Sequence, residues 1–198
     1  MLKKPAVFLD RDGTLIEEVH YLNTLGDLAL IAGAAEALAR LNNRGIPVFL
    51  VTNQAGVAWG FFGEAFVQET HARLQQMLLR EGAHLDGIYY CPHHPDVAPC
   101  TCRKPARGMI EQVVREHGVD FSRSYVVGDR WSDVALARDG ARGVLVKTGY
   151  GATSLREWPQ ASRPPDHVAD HLACAIQWIL LDIGDHESLA DESSRSDG

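Results

Sequence analysis

Short apolar runs that stop abruptly at a polar residue or a glycine recur along this chain, and they restrict it to one class of fold. Ala6-Val-Phe-Leu stops at Asp10, Val48-Phe-Leu-Val at Thr52-Asn53, Tyr125-Val-Val at Gly128-Asp129, and Gly143-Val-Leu-Val at Lys147. Ile88-Tyr89-Tyr90 is a shorter member of the set. Each is too brief for a helix and reads as a strand buried on both faces. Between them, apolar residues fall at helical spacing. Gly33 to Asn43 carries Ala34, Ala35, Leu38 and Leu41; Glu64 to Glu81 carries Phe66, Leu74, Met77 and Leu78; Met109 to His117 carries Ile110, Val113 and Val114. Asp133 to Asp139 opens with an acid that suits a helix dipole, and His167 to Ile183 reads as the last helix, with Cys174 packed in the core. Thr148 to Pro165 is rich in Gly, Ser, Pro and Arg and reads as irregular surface. Strands alternating with helices imply parallel pairing through right-handed crossovers. The expectation is therefore α/β: a single doubly wound, Rossmann-like parallel sheet with helices on both faces.

A length of 198 residues with 45% hydrophobic content supplies one full core and leaves no room for a second domain of ordinary size. The net charge of −7 argues against nucleic acid as a partner. From Asp185 onward there are five acids (Asp185, Glu187, Asp191, Glu192, Asp197) and one base (Arg195), a local −4 that leaves −3 for the rest. The expectation is a globular domain over 1–184 and a disordered acidic tail over 185–198. The apolar start is cut at Asp10, well short of a signal peptide, and no later stretch suits a membrane span. A cytoplasmic monomer that touches no membrane is expected. Its four cysteines are then reduced and available to a metal rather than to disulfides.

The first strand carries the strongest chemical signal. Asp10 and Asp12 follow it one residue apart, before the turn at Gly13. Ligands sit at the carboxyl ends of strands in open parallel sheets. Residues i and i+2 of an extended chain project to the same side, so the two carboxylates repel unless a cation with a taste for oxygen, such as Mg2+, lies between them. An acidic loop capping a strand would read the same way from these two residues alone. Glu17 to Leu30, with Glu18, His20 and Tyr21, follows directly and is either a substrate-facing loop or a solvated connector. The glycine-punctuated Gln54 to Gly63 reads first as turn chemistry.

A second constellation lies in Cys91-Pro-His93-His94-Pro-Asp-Val-Ala-Pro-Cys100-Thr-Cys102. Cys91 and His93 mirror the spacing of Cys100 and Cys102, and a Cys3His set is a closed tetrahedral Zn2+ site, structural rather than catalytic. His94 is the rival ligand. Such a staple would aim Arg103 and Lys104, which follow Cys102 at once.

Taken in order, Asp10-Arg-Asp12-Gly-Thr, Thr52 after the second strand, Lys104, and Gly128-Asp129-Arg-Trp-Ser-Asp133 resemble the four motifs of the haloacid dehalogenase superfamily of phosphatases. With Val-Thr-Asn-Gln-x-Gly, Tyr-Tyr-Cys-Pro-His-His-Pro and Cys-x-Cys-Arg-Lys-Pro added, the chain looks like the D-glycero-D-manno-heptose 1,7-bisphosphate phosphatases, cytoplasmic Mg2+-dependent enzymes with a structural zinc that serve activated-heptose synthesis for surface polysaccharide. The resemblance implies Asp10 as nucleophile and Asp12 as acid and base. It places Mg2+ on Asp10, the backbone carbonyl of Asp12, and Asp129, with Asp133 supporting that shell. Thr52, Asn53, Arg103 and Lys104 would bind the transferring phosphoryl group, and Glu18, His20, Tyr21 and Arg130 would meet the sugar. The partner implied is a small phosphorylated substrate. No segment is long enough for a large mobile cap. Two departures stand out: Trp59 in Gly56-Val-Ala-Trp-Gly60 replaces a basic residue, and the stretch from His93 to Cys100 is short, nearer to the histidinol-phosphate phosphatases that share the zinc loop. A histidinol-phosphate phosphatase and a catalytically inactive zinc-loop binding protein are the alternatives.

Overall fold

A computed structural model describes residues 3–138 and 140–196, the last stretch from 185 as backbone only. Six strands form one parallel sheet: β1 (Val7–Leu9), β2 (Val48–Asn53), β3 (Gly87–Cys91), β4 (Tyr125–Gly128), β5 (Arg142–Val146) and β6 (His167–Ala169), in the order β3-β2-β1-β4-β5-β6. The helices are α1 (Ala34–Asn43), α2 (Glu64–Arg80), α3 (Gly108–His117), α4 (Trp131–Val134), α5 (Gly151–Arg156) and α6 (Leu172–Ser196). The chain winds outward from β1 in one direction and from β4 in the other, so the switch of direction falls between them. A crevice opens there beyond the carboxyl ends of the strands. This is the doubly wound α/β sheet the alternation predicts.

Burial along β1 shows why the strands read as uniformly apolar. Val7 and Leu9 face a core completed by Leu38, Leu41, Ile176 and Ile179 of α1 and α6, while Ala6 and Phe8 face a second core with Ile110 and Val113 of α3 and with Phe121. Both sets are essentially solvent-free, as expected for a strand covered on two sides. The register sets Leu9 beside Leu50 on one flank and Val127 on the other. The three strand ends are thus level, and Asp10, Thr52 and Asp129 emerge at the same edge.

Three local expectations are corrected. His167 opens no helix: His167–Ala169 pairs with β5 at the sheet edge, and the helix begins at Leu172. The stretch from Thr148 to Pro165 is not wholly irregular, since Gly151–Arg156 is helical. Gly151 must be a glycine there, because a Cβ would lie 1.7 Å from the Val146 carbonyl oxygen. The helix expected from Asp133 starts two residues sooner, at Trp131. Cys174 packs against the larger core as expected. The expectation for the acidic tail from 185 falls outside the residues whose side chains are described. Among the described residues, no helix is long and apolar enough to cross a membrane.

Candidate active site

The crevice between β1 and β4 is a cavity of about 460 Å3. Asp10, Asp12, Thr52, Asn53, Arg103 and Lys104 all line it, and so do Glu18, His20 and Tyr21 from the stretch that sequence left open and Arg130 from the motif after β4. Asp129 lies behind Asp10, fully buried. Ligand atoms of Asp10, Asp129 and Asp133 come within 4.8 Å of one another. Three carboxylates that close cannot all stay ionised in a dry site without cations.

One cation is Lys104. Its Nζ donates to Asp10 Oδ1 at 2.6 Å and to the Val51 carbonyl at 2.9 Å, and pairs with Asp133 Oδ1 at 2.7 Å. Burial alone would lower the pKa of this ammonium, but Asp10 and Asp133 hold it above the ordinary lysine value. Burial pushes Asp10 up to about 7 against the pull of Lys104, with Asp133 and Asp12 adding to the rise. Asp129 is pushed up to about 8 by burial first, then by Asp10 and Asp133.

The second cation would belong beside Asp129. One of its oxygens accepts from the Tyr150 N–H at 2.7 Å, while the other, Oδ1, is buried with no partner. Unpaired buried carboxylate oxygens are rare and point to an ion. Two glycines make the approach possible. A Cβ on Gly13 or on Gly149 would sit 2.4 Å from Asp129 Oδ2, and both have positive φ, 76° and 54°. A hard oxygen-seeking cation suits this donor set. Asp133 is differently employed: Lys104 holds one of its oxygens and the Arg130 N–H donates to the other at 2.9 Å.

Asp12 sits in a clamp that sequence did not reveal. Arg11 grips its two oxygens through Nη2 and Nε at 3.0 and 3.1 Å, and Gln54 Nε2 donates to Oδ2 at 2.9 Å. Arg11 also reaches Gln54 Oε1 at 2.9 Å and His71 Nε2 at 3.3 Å. Burial, then the nearby guanidinium, lowers the pKa of His71 to about 3, so its ring is the neutral acceptor for Arg11. Nothing in the spacing of α2 marks His71. Arg11 lies within Asp10-Arg-Asp12-Gly-Thr and Gln54 within Val-Thr-Asn-Gln-x-Gly, and that placement is the sequence signal that marks them. Gln54 also donates to Thr52 Oγ1 at 2.9 Å. Asn53 exchanges both ends of its amide with the backbone of Lys104, at 3.0 and 3.3 Å, and so ties the lysine loop to the tip of β2.

The cysteine loop closes on itself. Cys91, His93, Cys100 and Cys102 converge, and all the cysteines are free thiols. Cys91 Sγ lies 3.1 Å from Cys102 Sγ, 3.6 Å from Cys100 Sγ and 3.6 Å from His93 Nδ1. The edges of a tetrahedron built on ordinary Zn–S and Zn–N bonds are about 3.6–3.8 Å, so the two 3.6 Å separations suit one ion, and Cys102, 3.1 Å from Cys91 Sγ and 3.3 Å from His93 Nδ1, would move out slightly to receive it. His94 is not among them; its ring packs at a tilt, centroids 4.6 Å apart, against Trp59 from the loop before α2. Arg103 Nη1 donates to the His93 carbonyl at 3.1 Å, joining the cluster to the cavity wall.

Sequence comparison agrees with this geometry. Residues 7–69 match the model of the haloacid dehalogenase-like hydrolases, and residues 101–175 match a second hydrolase model of the same superfamily. A D-glycero-D-manno-heptose-1,7-bisphosphate 7-phosphatase of Thermosynechococcus vestitus is 43% identical over 92% of this chain and 98% of its own length. A D-glycero-beta-D-manno-heptose-1,7-bisphosphate 7-phosphatase of Haemophilus ducreyi is 40% identical over 89% of this chain and 98% of its own. Among solved structures, the D,D-heptose 1,7-bisphosphate phosphatase of B. bronchiseptica, complexed with magnesium and phosphate, superposes with a TM-score of 0.83 and 32% identity over 90% of this chain and 99% of that one.

Proposed function

This chain belongs to the haloacid dehalogenase-like hydrolases, in the group of heptose 1,7-bisphosphate phosphatases, and from that premise we propose that it removes the C7 phosphate of D-glycero-D-manno-heptose 1,7-bisphosphate through an aspartyl-phosphate. The observation that carries the reading is Asp10: a buried carboxylate at the tip of β1, 2.6 Å from the Lys104 ammonium, with the partnerless oxygen of Asp129 beside it.

An Asp10 oxygen attacks phosphorus, and the bond from phosphorus to the C7 oxygen breaks. The Asp12 carboxyl gives its proton to that departing oxygen. As a carboxylate it then takes a proton from water, whose oxygen attacks phosphorus and releases orthophosphate and Asp10. Arg11 and Gln54 hold Asp12 in line for both halves. Lys104, Thr52 and Arg103 face the phosphoryl oxygens, and Asn53 keeps Lys104 in place. Mg2+ would be held by Asp10, Asp129 and the backbone carbonyl of Asp12, where it neutralises the charge of the transferring group. Asp133 has both oxygens engaged elsewhere and orients this shell. Zn2+ would sit on Cys91, His93, Cys100 and Cys102 as a staple, with all four positions taken by side chains and none left open for the chemistry. Glu18, His20, Tyr21 and Arg130 border the sugar.

Purified protein assayed for phosphate release with Mg2+ should favour heptose 1,7-bisphosphate over histidinol phosphate in kcat/KM. Asp10→Asn should abolish turnover and leave the circular dichroism spectrum unchanged. A preference for histidinol phosphate would overturn the substrate, and near wild-type turnover by the variant would overturn the nucleophile.

A further inference from the structure

At the mouth of the cavity, side chains from two separate segments meet on Tyr150. The Arg130 guanidinium lies over its ring, with Cζ 3.8 Å from the centroid. Its hydroxyl is 3.1 Å from Nδ1 of His20. Arg130 and His20 line the cavity, whereas Tyr150 stands behind them. Sequence gave no reason to single Tyr150 out, since it lies in the stretch read as irregular surface.

His20 is unusual in its own right. Among the described residues it alone, apart from glycines, has positive φ, at 68°. A side chain persists in that region only where its surroundings hold it, and such residues gather at ligand sites. The holding groups are present. The Glu18 carboxylate accepts from the His20 N–H at 2.5 Å, the Tyr21 ring meets the imidazole edge to face at 4.7 Å, and the Tyr150 hydroxyl reaches the imidazole from the far side.

We propose that Tyr150 is a positioning residue for substrate selection: it presents Arg130 and His20 to the part of the substrate beyond the cleaved phosphate. The inference rests on the phosphatase reading above and adds to it the device that discriminates among phosphate esters. A guanidinium stacked on a ring uses its face, so the N–H donors along its edge stay free for an acceptor in the cavity. Arginine otherwise surrenders much rotamer freedom when it binds, and the ring has already restricted it. The chemistry recognised is that of a polyhydroxylated or doubly phosphorylated ester, whose hydroxyls or second anion can reach both side chains. A small aryl phosphate has nothing to place there.

The test compares wild type, Tyr150→Phe and Tyr150→Ala on heptose 1,7-bisphosphate and on p-nitrophenyl phosphate. Tyr150→Phe keeps the stacked ring and drops the bond to His20. Tyr150→Ala loses both, while all three proteins keep the backbone N–H that serves Asp129. The ratio of kcat/KM for the bisphosphate to that for the aryl phosphate should fall about tenfold in Tyr150→Ala, through KM for the bisphosphate, and by about threefold in Tyr150→Phe. A ratio unchanged within twofold in Tyr150→Ala would overturn the inference, whether the two rates fall together or stay as they were. If Tyr150→Ala unfolds, the same threefold shift in Tyr150→Phe sustains it and an unshifted ratio there overturns it. Wild type inert towards both esters would instead remove the phosphatase reading, and this one with it.

Discussion

Asp129→Asn should make the metal-free protein more stable and the enzyme far slower. The side chain is fully buried, one oxygen is bonded to the Tyr150 N–H at 2.7 Å, and the other has no partner. Burial, with Asp10 and Asp133 close by, raises its pKa from 3.8 to about 8. A carboxyl that holds its proton more tightly when folded contributes stability below its unfolded value, near pH 4. That stability is lost as pH rises through about 8. At about 1.4 kcal/mol per unit, the whole penalty of ionising Asp129 at pH 8 has an upper bound of ~5–6 kcal/mol. Asp10, itself pushed up to about 7, shares protons with it and relieves part of this, leaving a gain of about 1–3 kcal/mol for an amide of the same shape. Urea unfolding followed by circular dichroism at pH 5.5, 7 and 8, with chelator, should show wild type losing stability as pH rises and the variant losing less. Adding Mg2+ should restore wild type and leave the variant where it was. Turnover should fall about 10²–10³-fold, since metal neutralisation of the transferring group is worth several kcal/mol. A variant less stable than wild type at pH 8 in chelator, or one with Mg2+-dependent turnover intact, would refute the reasoning.

Lys104→Met removes the cation shared by Asp10 and Asp133 from a site with almost no solvent. It should cost about 3–5 kcal/mol of stability at neutral pH in addition to activity, and a loss below about 1 kcal/mol in urea titrations would contradict the pairing. Gly149→Ala forces a Cβ to 2.4 Å from Asp129 Oδ2 at a φ of 54°. Mg2+ titration of its phosphatase rate should show a much higher half-saturating Mg2+ concentration, and an unchanged one would speak against Gly149 as the backstop of Asp129. Elemental analysis should find one zinc per chain, lost in Cys100→Ser. That loss should lower Tm by about 5–15 °C, the equivalent of ~2–4 kcal/mol, with hydrogen exchange rising first across residues 91–107. A variant that keeps its zinc or its Tm would dissolve the staple.

The strands, their parallel pairing, the carboxylate pair after β1 and the clustering of Cys91, His93, Cys100 and Cys102 were legible because each is a local pattern. Period, run length and short spacing are stored in neighbouring residues. His167–Ala169 escaped notice because a three-residue edge strand has no apolar run of its own and exists only by pairing with β5. The helix Gly151–Arg156 was hidden by its opening glycine, which only the nearness of the Val146 carbonyl explains. His93 and His94 were rivals on paper, and the fold separated them by turning His94 onto Trp59. The clamp on Asp12 and the contacts of Tyr150 depended entirely on folding. Thr148 Oγ1 donates to the Gly13 carbonyl at 2.6 Å across 135 positions of chain, and that bond brings Tyr150 beside the first strand. The residue types that line the cavity were thus written in the sequence. Which groups hold them, and at what distance, was decided by segments that meet only because a hydrophobic sheet buries both its faces, and no local spacing records that.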